Sequence, residues 1–64
     1  MEIDVTLYQA TNENVVAGFE TEGQGGVEIV TKAAPIIRKL TVGKTIGDAV
    51  RALTDRGYDV EQVT

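Results

Sequence analysis

The sequence predicts a small α+β domain in which an antiparallel sheet is packed on one face by a single helix. Three observations lead to this fold class. Apolar and polar residues alternate over 2–10 and again over 15–22, which is typical of strands with one buried face. A helical stripe of apolar residues follows near the C-terminus, over 46–56. The length of 64 residues allows one domain, 1–64, and no more.

The N-terminal part of the sequence predicts a β-hairpin formed by the first two strands. Ile3, Val5 and Leu7 alternate with polar residues in the first strand. The stretch 11–14 predicts the turn, because its two asparagines tolerate left-handed backbone and bond locally to the chain. The second strand then begins at residue 15.

The middle of the chain leaves one ambiguity. Three glycines within 23–26 predict a loop, and the alternation over 27–31 predicts a third strand. Apolar residues over 31–42 recur at helical spacing, but Pro35 lacks a backbone donor and favours extended backbone before it. We favour a turn at the proline followed by an extended segment over 36–42. The alternative is a short helix that starts at Pro35.

The helix over 46–56 has signals at both ends. Thr45 can cap its N-terminus, with Asp48 three residues later. Gly57 suits a left-handed C-cap, beyond which Tyr58 can fold back on the last turn. Renewed alternation then predicts a last strand, so the element order is β-β-β-(β)-α-β.

This order predicts a core between one sheet face and the helix, because a single helix covers only one face. The other face must be polar or must meet a partner. The expected core residues are Ile3, Val5, Leu7, Ala17, Phe19 and Ile29 from the sheet, with Ile46, Val50 and Leu53 from the helix.

The composition excludes several kinds of catalysis and metal binding. The chain has no His, Cys, Ser or Trp, so it cannot form a Ser-His-Asp or Cys-His arrangement or a zinc site. A short single-sheet domain is also a poor frame for two carboxylates that face each other across a cleft. We therefore expect a protein that is not an enzyme, with no catalytic residues, no metal and no cofactor.

The expected cellular location rests on weaker sequence signals than the fold does. The first residues are acidic and strand-like rather than typical of a signal peptide, and no segment approaches the ~20 apolar residues of a membrane helix. The lack of cysteine fits a reducing compartment. We expect a cytoplasmic protein without membrane contact.

Charge is distributed unevenly along the chain. Residues 1–30 contain six acidic residues and no basic residue, whereas residues 31–64 contain six basic and four acidic residues, which gives net charges of −6 and +2. In the predicted hairpin the acidic side chains fall on the wet face together with a tyrosine. The candidate protein-binding residues are Glu2, Asp4, Tyr8, Glu20 and Glu22.

A weaker candidate is an anion site at Gly43, Lys44 and Thr45, where a lysine precedes a helix N-terminus. A phosphate-binding P-loop is excluded, because its first glycine would fall at Arg38. A glycine turn, a solvated lysine and a threonine cap explain the same residues, and this structural interpretation is the more common one.

The sequence thus favours a small interaction module, an inhibitor or regulator of a larger protein with a basic surface, which uses the acidic hairpin face or a free strand edge. One alternative is a self-assembling structural protein, a homodimer or higher oligomer that buries its free sheet face. Another is a binder of small anions or nucleotides around Lys44. Direct binding of nucleic acid is disfavoured by the net charge of −4.

Overall fold

A computed structural model describes residues 3–64 as one antiparallel sheet with two helical segments packed on the same face. The strands lie in the order β3-β2-β1-β4, so the first hairpin is central and β3 and β4 form the edges. The predicted α+β class is confirmed, and the element order agrees with the prediction except over residues 36–42. The elements are β1 (Asp4–Asn12), β2 (Val15–Gln24), β3 (Val27–Ala33), α1 (Arg38–Thr41), α2 (Ile46–Asp55) and β4 (Asp59–Gln62).

Both hairpins close through two-residue turns. Asn12 pairs with Val15 across the first turn, in which Glu13 has a φ of 52°. The second turn consists of Gly25 and Gly26, with φ of 60° and 84°. Positive φ at both central residues suits the right-handed twist of the strands and favours glycine. The predicted loop over 23–26 is therefore too long, because residues 23 and 24 belong to β2 and pair with β3.

The register of the first hairpin determines which sheet face the helices cover. Tyr8 pairs with Phe19 and Ala10 pairs with Ala17, so these four side chains share a face. Ala10, Ala17 and Phe19 are buried there, and Tyr8 packs against them. The even-numbered residues of β1 therefore face the helices, and its odd-numbered residues face away.

This register corrects part of the predicted core. Ile3, Val5 and Leu7 are exposed, because they alternate with the covered residues of β1. Ile29 also faces away from the helices, while its neighbour Val30 is buried. The predicted positions Ala17, Phe19 and Leu53 are confirmed, and Ile46 packs at the margin of the core. The buried apolar residues are Ala10, Ala17, Phe19, Val30, Ile37, Ala49 and Leu53.

The region that the sequence left open is helical, so the favoured extended segment over 36–42 is wrong. A turn at Pro35 leads into α1, and Pro35 precedes the helix, where its missing backbone donor disrupts no helical bond. Ile37 and Thr41 are both buried, and the Thr41 hydroxyl donates to the Ile37 carbonyl oxygen at 2.8 Å. Spacing of four residues places both on one helical face. The domain therefore packs two helical segments, not one, on the sheet.

The predicted long helix is confirmed as α2, which ends one residue earlier than expected. The Thr45 hydroxyl accepts the Asp48 backbone N–H at 3.3 Å, as an N-cap does. At the other end Gly57 has a φ of 89°, and the Tyr58 N–H donates to the Leu53 carbonyl at 3.0 Å. This is a Schellman C-cap, which stops the helix and returns the chain to the sheet as β4.

Candidate interaction surface

The sheet face away from the helices has no covering layer in the described part of the chain. We call it the open face. It consists of Ile3, Val5, Leu7, Gln9, Thr11, Val16, Gly18, Glu20, Glu22, Val27, Ile29, Thr31, Lys32, Asp59, Glu61 and Val63. The side chains alternate along each strand, except that Thr31 and Lys32 are both included, because the β2–β3 register shifts between Glu20 and Thr21.

Large apolar side chains on the open face are exposed to solvent. Val5 and Val16 keep 55% and 63% of their accessible surface, and Leu7, Val27 and Val63 are exposed as well. Single exposed apolar residues are ordinary, but a contiguous apolar area of this kind usually marks an interaction site. The open face combines such side chains from β1, β2 and β3 with Val63, which follows β4.

A shallow groove of about 420 Å³ crosses this face over the central strands. Gly18 lies in the middle of β2, and because it has no side chain the sheet surface stays uncovered above it. Leu7, Val16 and Val63 contribute apolar groups to the groove, and Lys32 contributes a charged one. The groove can accept an apolar side chain from a partner.

The charge of the open face is predominantly negative. Its carboxylates belong to Glu20, Glu22, Asp59 and Glu61, and its single cation is Lys32. Lys32 lies directly across the β2–β3 ladder from Glu20, so the two charges offset each other locally. The remaining carboxylates give the face a net negative charge beside its apolar residues.

The predicted acidic patch is divided between the two faces. Glu20 and Glu22 lie on the open face, where they pair with Leu7 and Val5. Asp4 pairs with Gly23 on the opposite face, which is also the face of Tyr8. The expectation that these residues share one patch is therefore wrong, because the two-residue turn places even positions of β1 across from odd positions of β2. Glu2 lies outside the described residues.

Tyr8 has a structural role on the covered side. Its hydroxyl donates to Glu28 Oε1 at 2.8 Å, and the Thr21 hydroxyl donates to the same oxygen at 2.7 Å. The hydrogen bonds connect β1, β2 and β3 at the margin of the core. Burial first, and then the hydrogen bond to Glu28 and its negative charge, raise the pKa of the Tyr8 phenol above its ordinary value of 10.0.

The predicted anion-site residues lie together before α2, where the fold uses several of their polar groups. The Lys44 carbonyl accepts the Val30 N–H at 2.9 Å, and the Gly43 N–H donates to the Val30 carbonyl at 2.9 Å. Thr45 caps α2, and Asp48 adds a carboxylate to its first turn. These contacts cover part of the β3 edge and give the residues of this segment structural roles. Anion binding at this segment stays a prediction.

Residues 3–64 also bear on metal binding and on membrane crossing. No three carboxylates in this range are arranged as metal ligands. Neither helix combines the length and apolar character that a membrane crossing needs; α2, the longer one, has 10 residues.

The sequence pattern does not reveal the apolar half of the open face, because it predicts Val5 and Leu7 as core residues. One signal could have located it. A turn with an even number of residues pairs even positions of one strand with odd positions of the next. Once Ala17 and Phe19 are taken as core, such a turn places Leu7 on the other face.

No protein-family model, no curated protein and no solved structure matches this chain.

Proposed function

We propose that the protein is a small, non-catalytic interaction module whose open face binds a larger protein, as an inhibitor or regulator of it. The observation that carries this proposal is the row of exposed apolar side chains on the open face, next to a surplus of carboxylates. Desolvation of the apolar groups supplies the driving force, and the charges orient the encounter.

The chemistry of the face indicates the partner. Apolar groups at the centre of the partner surface would enter the groove above Gly18, and basic groups would meet Glu22 and Glu61. Two open faces placed against each other would instead bring the carboxylates of two copies together. Charge therefore favours a basic partner over a face-to-face homodimer, and it disfavours nucleic acid on this face.

The non-catalytic character and a cytoplasmic location belong to the same proposal. The support for the first is the lack of His, Cys and Ser. The support for the second is the lack of Cys, which fits a reducing compartment.

Site-specific crosslinking tests the proposal. A photoreactive residue placed at Val16, on the open face, is used to capture proteins in a lysate of the native host. The same residue at Arg51, exposed on α2, is the control position. We expect a protein captured only from Val16, which then binds the purified chain with an affinity that falls as salt concentration rises.

Matched charge reversals complete the test. Glu20→Lys with Glu22→Lys changes the open face, and Glu13→Lys with Asp55→Lys makes the same change of net charge elsewhere. The first pair should weaken binding of the captured protein at least about tenfold, and the second should leave it nearly unchanged. Equal affinity of both variants would rule out the open face as the binding surface.

A further inference from the structure

Within the described residues, exposed apolar side chains also lie on the outer side of α1. Ile37 and Thr41 face the core, which turns the neighbouring side chains outward. Ile36 keeps 59% of its accessible surface, and Val42 is exposed at the other end of the helix. We call Ile36, Arg38, Lys39 and Val42 the α1 surface.

The α1 surface is basic. Arg38 and Lys39 are both exposed, and Lys44 follows two residues after Val42. The chain has no Asp or Glu anywhere over residues 29–47. The α1 surface therefore has the chemistry that the open face would bind, namely apolar side chains flanked by cations.

The two surfaces lie on opposite sides of the protein, because α1 packs on the sheet face that the open face does not share. One copy cannot bring its own α1 surface to its own open face. In a pair of copies, only one open face and one α1 surface can be in contact, because the two surfaces of each copy point in opposite directions. A contact between them is heterologous and leaves one surface of each kind unused at the ends of the assembly.

We propose that the open face binds the α1 surface of a second copy, so that copies associate head to tail. The inference rests on the proposed function in that it uses the same open face. Arg38 and Lys39 of one copy meet the carboxylates around Glu22 of the next, while Ile36 and Val42 cover its exposed valines and leucine. A standard protein interface buries ~800 Å² of accessible surface on each partner. This is about a fifth of the accessible surface of this chain, 4370 Å².

Self-association of this kind regulates the module. A second copy and the larger partner occupy the same open face, so each excludes the other. At high concentration the copies cover one another, and the partner binds to the copies that dilution releases. Because opposite charges meet, salt should weaken the contact between copies.

Sedimentation equilibrium of the purified full chain tests the inference over a wide concentration range. We expect the average mass to rise steadily with concentration, beyond that of a dimer, and to fall when salt is added. Arg38→Glu with Lys39→Glu should lower the association constant at least about tenfold. The matched control, Arg51→Glu with Arg56→Glu, should associate like the wild type, because these exposed arginines lie outside the α1 surface.

A mixing experiment distinguishes head-to-tail contact from other modes. Arg38→Glu/Lys39→Glu and Glu20→Lys/Glu22→Lys should each associate at least about tenfold more weakly than the wild type when alone. The two variants should associate strongly when mixed, because mixing restores opposite charges at the contact. Association of Arg38→Glu/Lys39→Glu alone as strong as that of the wild type would overturn the inference and indicate contact between open faces. A monomeric wild type at every concentration would also overturn it.

The proposed function is judged separately. Arg38→Glu/Lys39→Glu leaves the open face intact and should still bind the protein crosslinked from Val16. Glu20→Lys/Glu22→Lys should lose both contacts. A monomeric wild type that still binds this protein would thus reject self-association alone.

Discussion

Tyr8 stacks on Phe19 across the β1–β2 ladder, with ring centroids 5.1 Å apart and ring planes inclined by 13°. The pair identifies the hairpin face that the helices cover, because Phe19 is buried beneath the helices and Tyr8 packs against the core. The next residue back along β1, Leu7, must then lie on the open face across from Glu20. Stability and interaction consequently depend on alternate residues of the same strand.

Two leucines should lose very different amounts of stability on truncation. Leu53 is fully buried, at 0% exposure, whereas Leu7 keeps 37% of its surface. Leu53→Ala should lower the free energy of unfolding by about 2–5 kcal/mol, because it removes apolar contact and leaves a cavity. Leu7→Ala should cost about 1 kcal/mol or less. Urea denaturation at low protein concentration measures both, and equal losses would contradict the assignment of faces.

Two glycines of α2 and its C-cap form a matched pair. Gly57 has a φ of 89°, where a side chain is strained, so Gly57→Ala should cost about 1–2 kcal/mol of unfolding free energy. Gly47 lies in α2 with nothing near its would-be side chain. Gly47→Ala should be neutral or stabilising by up to ~1 kcal/mol, because alanine favours helix. Thermal unfolding gives the sign of each change, and a Gly57→Ala variant that is not destabilised would argue against the C-cap.

The raised pKa of Tyr8 predicts a loss of stability in alkali. When the pKa of a phenol is higher in the folded state than in the unfolded state, the neutral phenol stabilises the fold. This contribution is complete at pH values below the pKa of the unfolded state, which is 10.0. That contribution is lost as the pH rises through the folded pKa. Stability should therefore fall above about pH 10, and Tyr8→Phe should remove this component.

A spectroscopic titration checks the cause of this effect. In a Tyr58→Phe background Tyr8 is the sole phenol of the chain, so phenolate absorbance reports its ionisation alone. We expect a midpoint above 10.0, and Glu28→Gln should move it downward by removing the adjacent negative charge. A midpoint that Glu28→Gln leaves unchanged would show that burial alone raises the pKa.

The first hairpin turn offers a stabilising change. Glu13 has a φ of 52°, a left-handed conformation that a residue with a Cβ adopts at a cost. Glu13→Gly should raise the free energy of unfolding by about 0.5–1 kcal/mol, since relief of strain exceeds the added entropy of the unfolded chain. Glu20→Gly, within β2, is the comparison and should be destabilising. Chemical denaturation of the two variants should therefore give opposite signs.

The sequence by itself determined the elements whose signals are local. The Thr45 cap, the apolar stripe and the Gly57 stop specify α2 within a few neighbouring residues, and the alternation specifies β1, β2 and β4. The helical turn of α1 was not determined in this way. Its pattern was compatible with both alternatives, and burial of Ile37 and Thr41 against the rest of the core selected the helix.

Only the tertiary structure decided which face of the hairpin is open. Alternation identifies two faces of each strand, but pairing decides which face of β1 joins which face of β2, and a shift by one residue exchanges them. The two-residue turn at Glu13 and the Tyr8–Phe19 stack select the observed pairing. That single choice removed Val5 and Leu7 from the predicted core, divided the predicted acidic patch, and created the surface on which the proposed function rests.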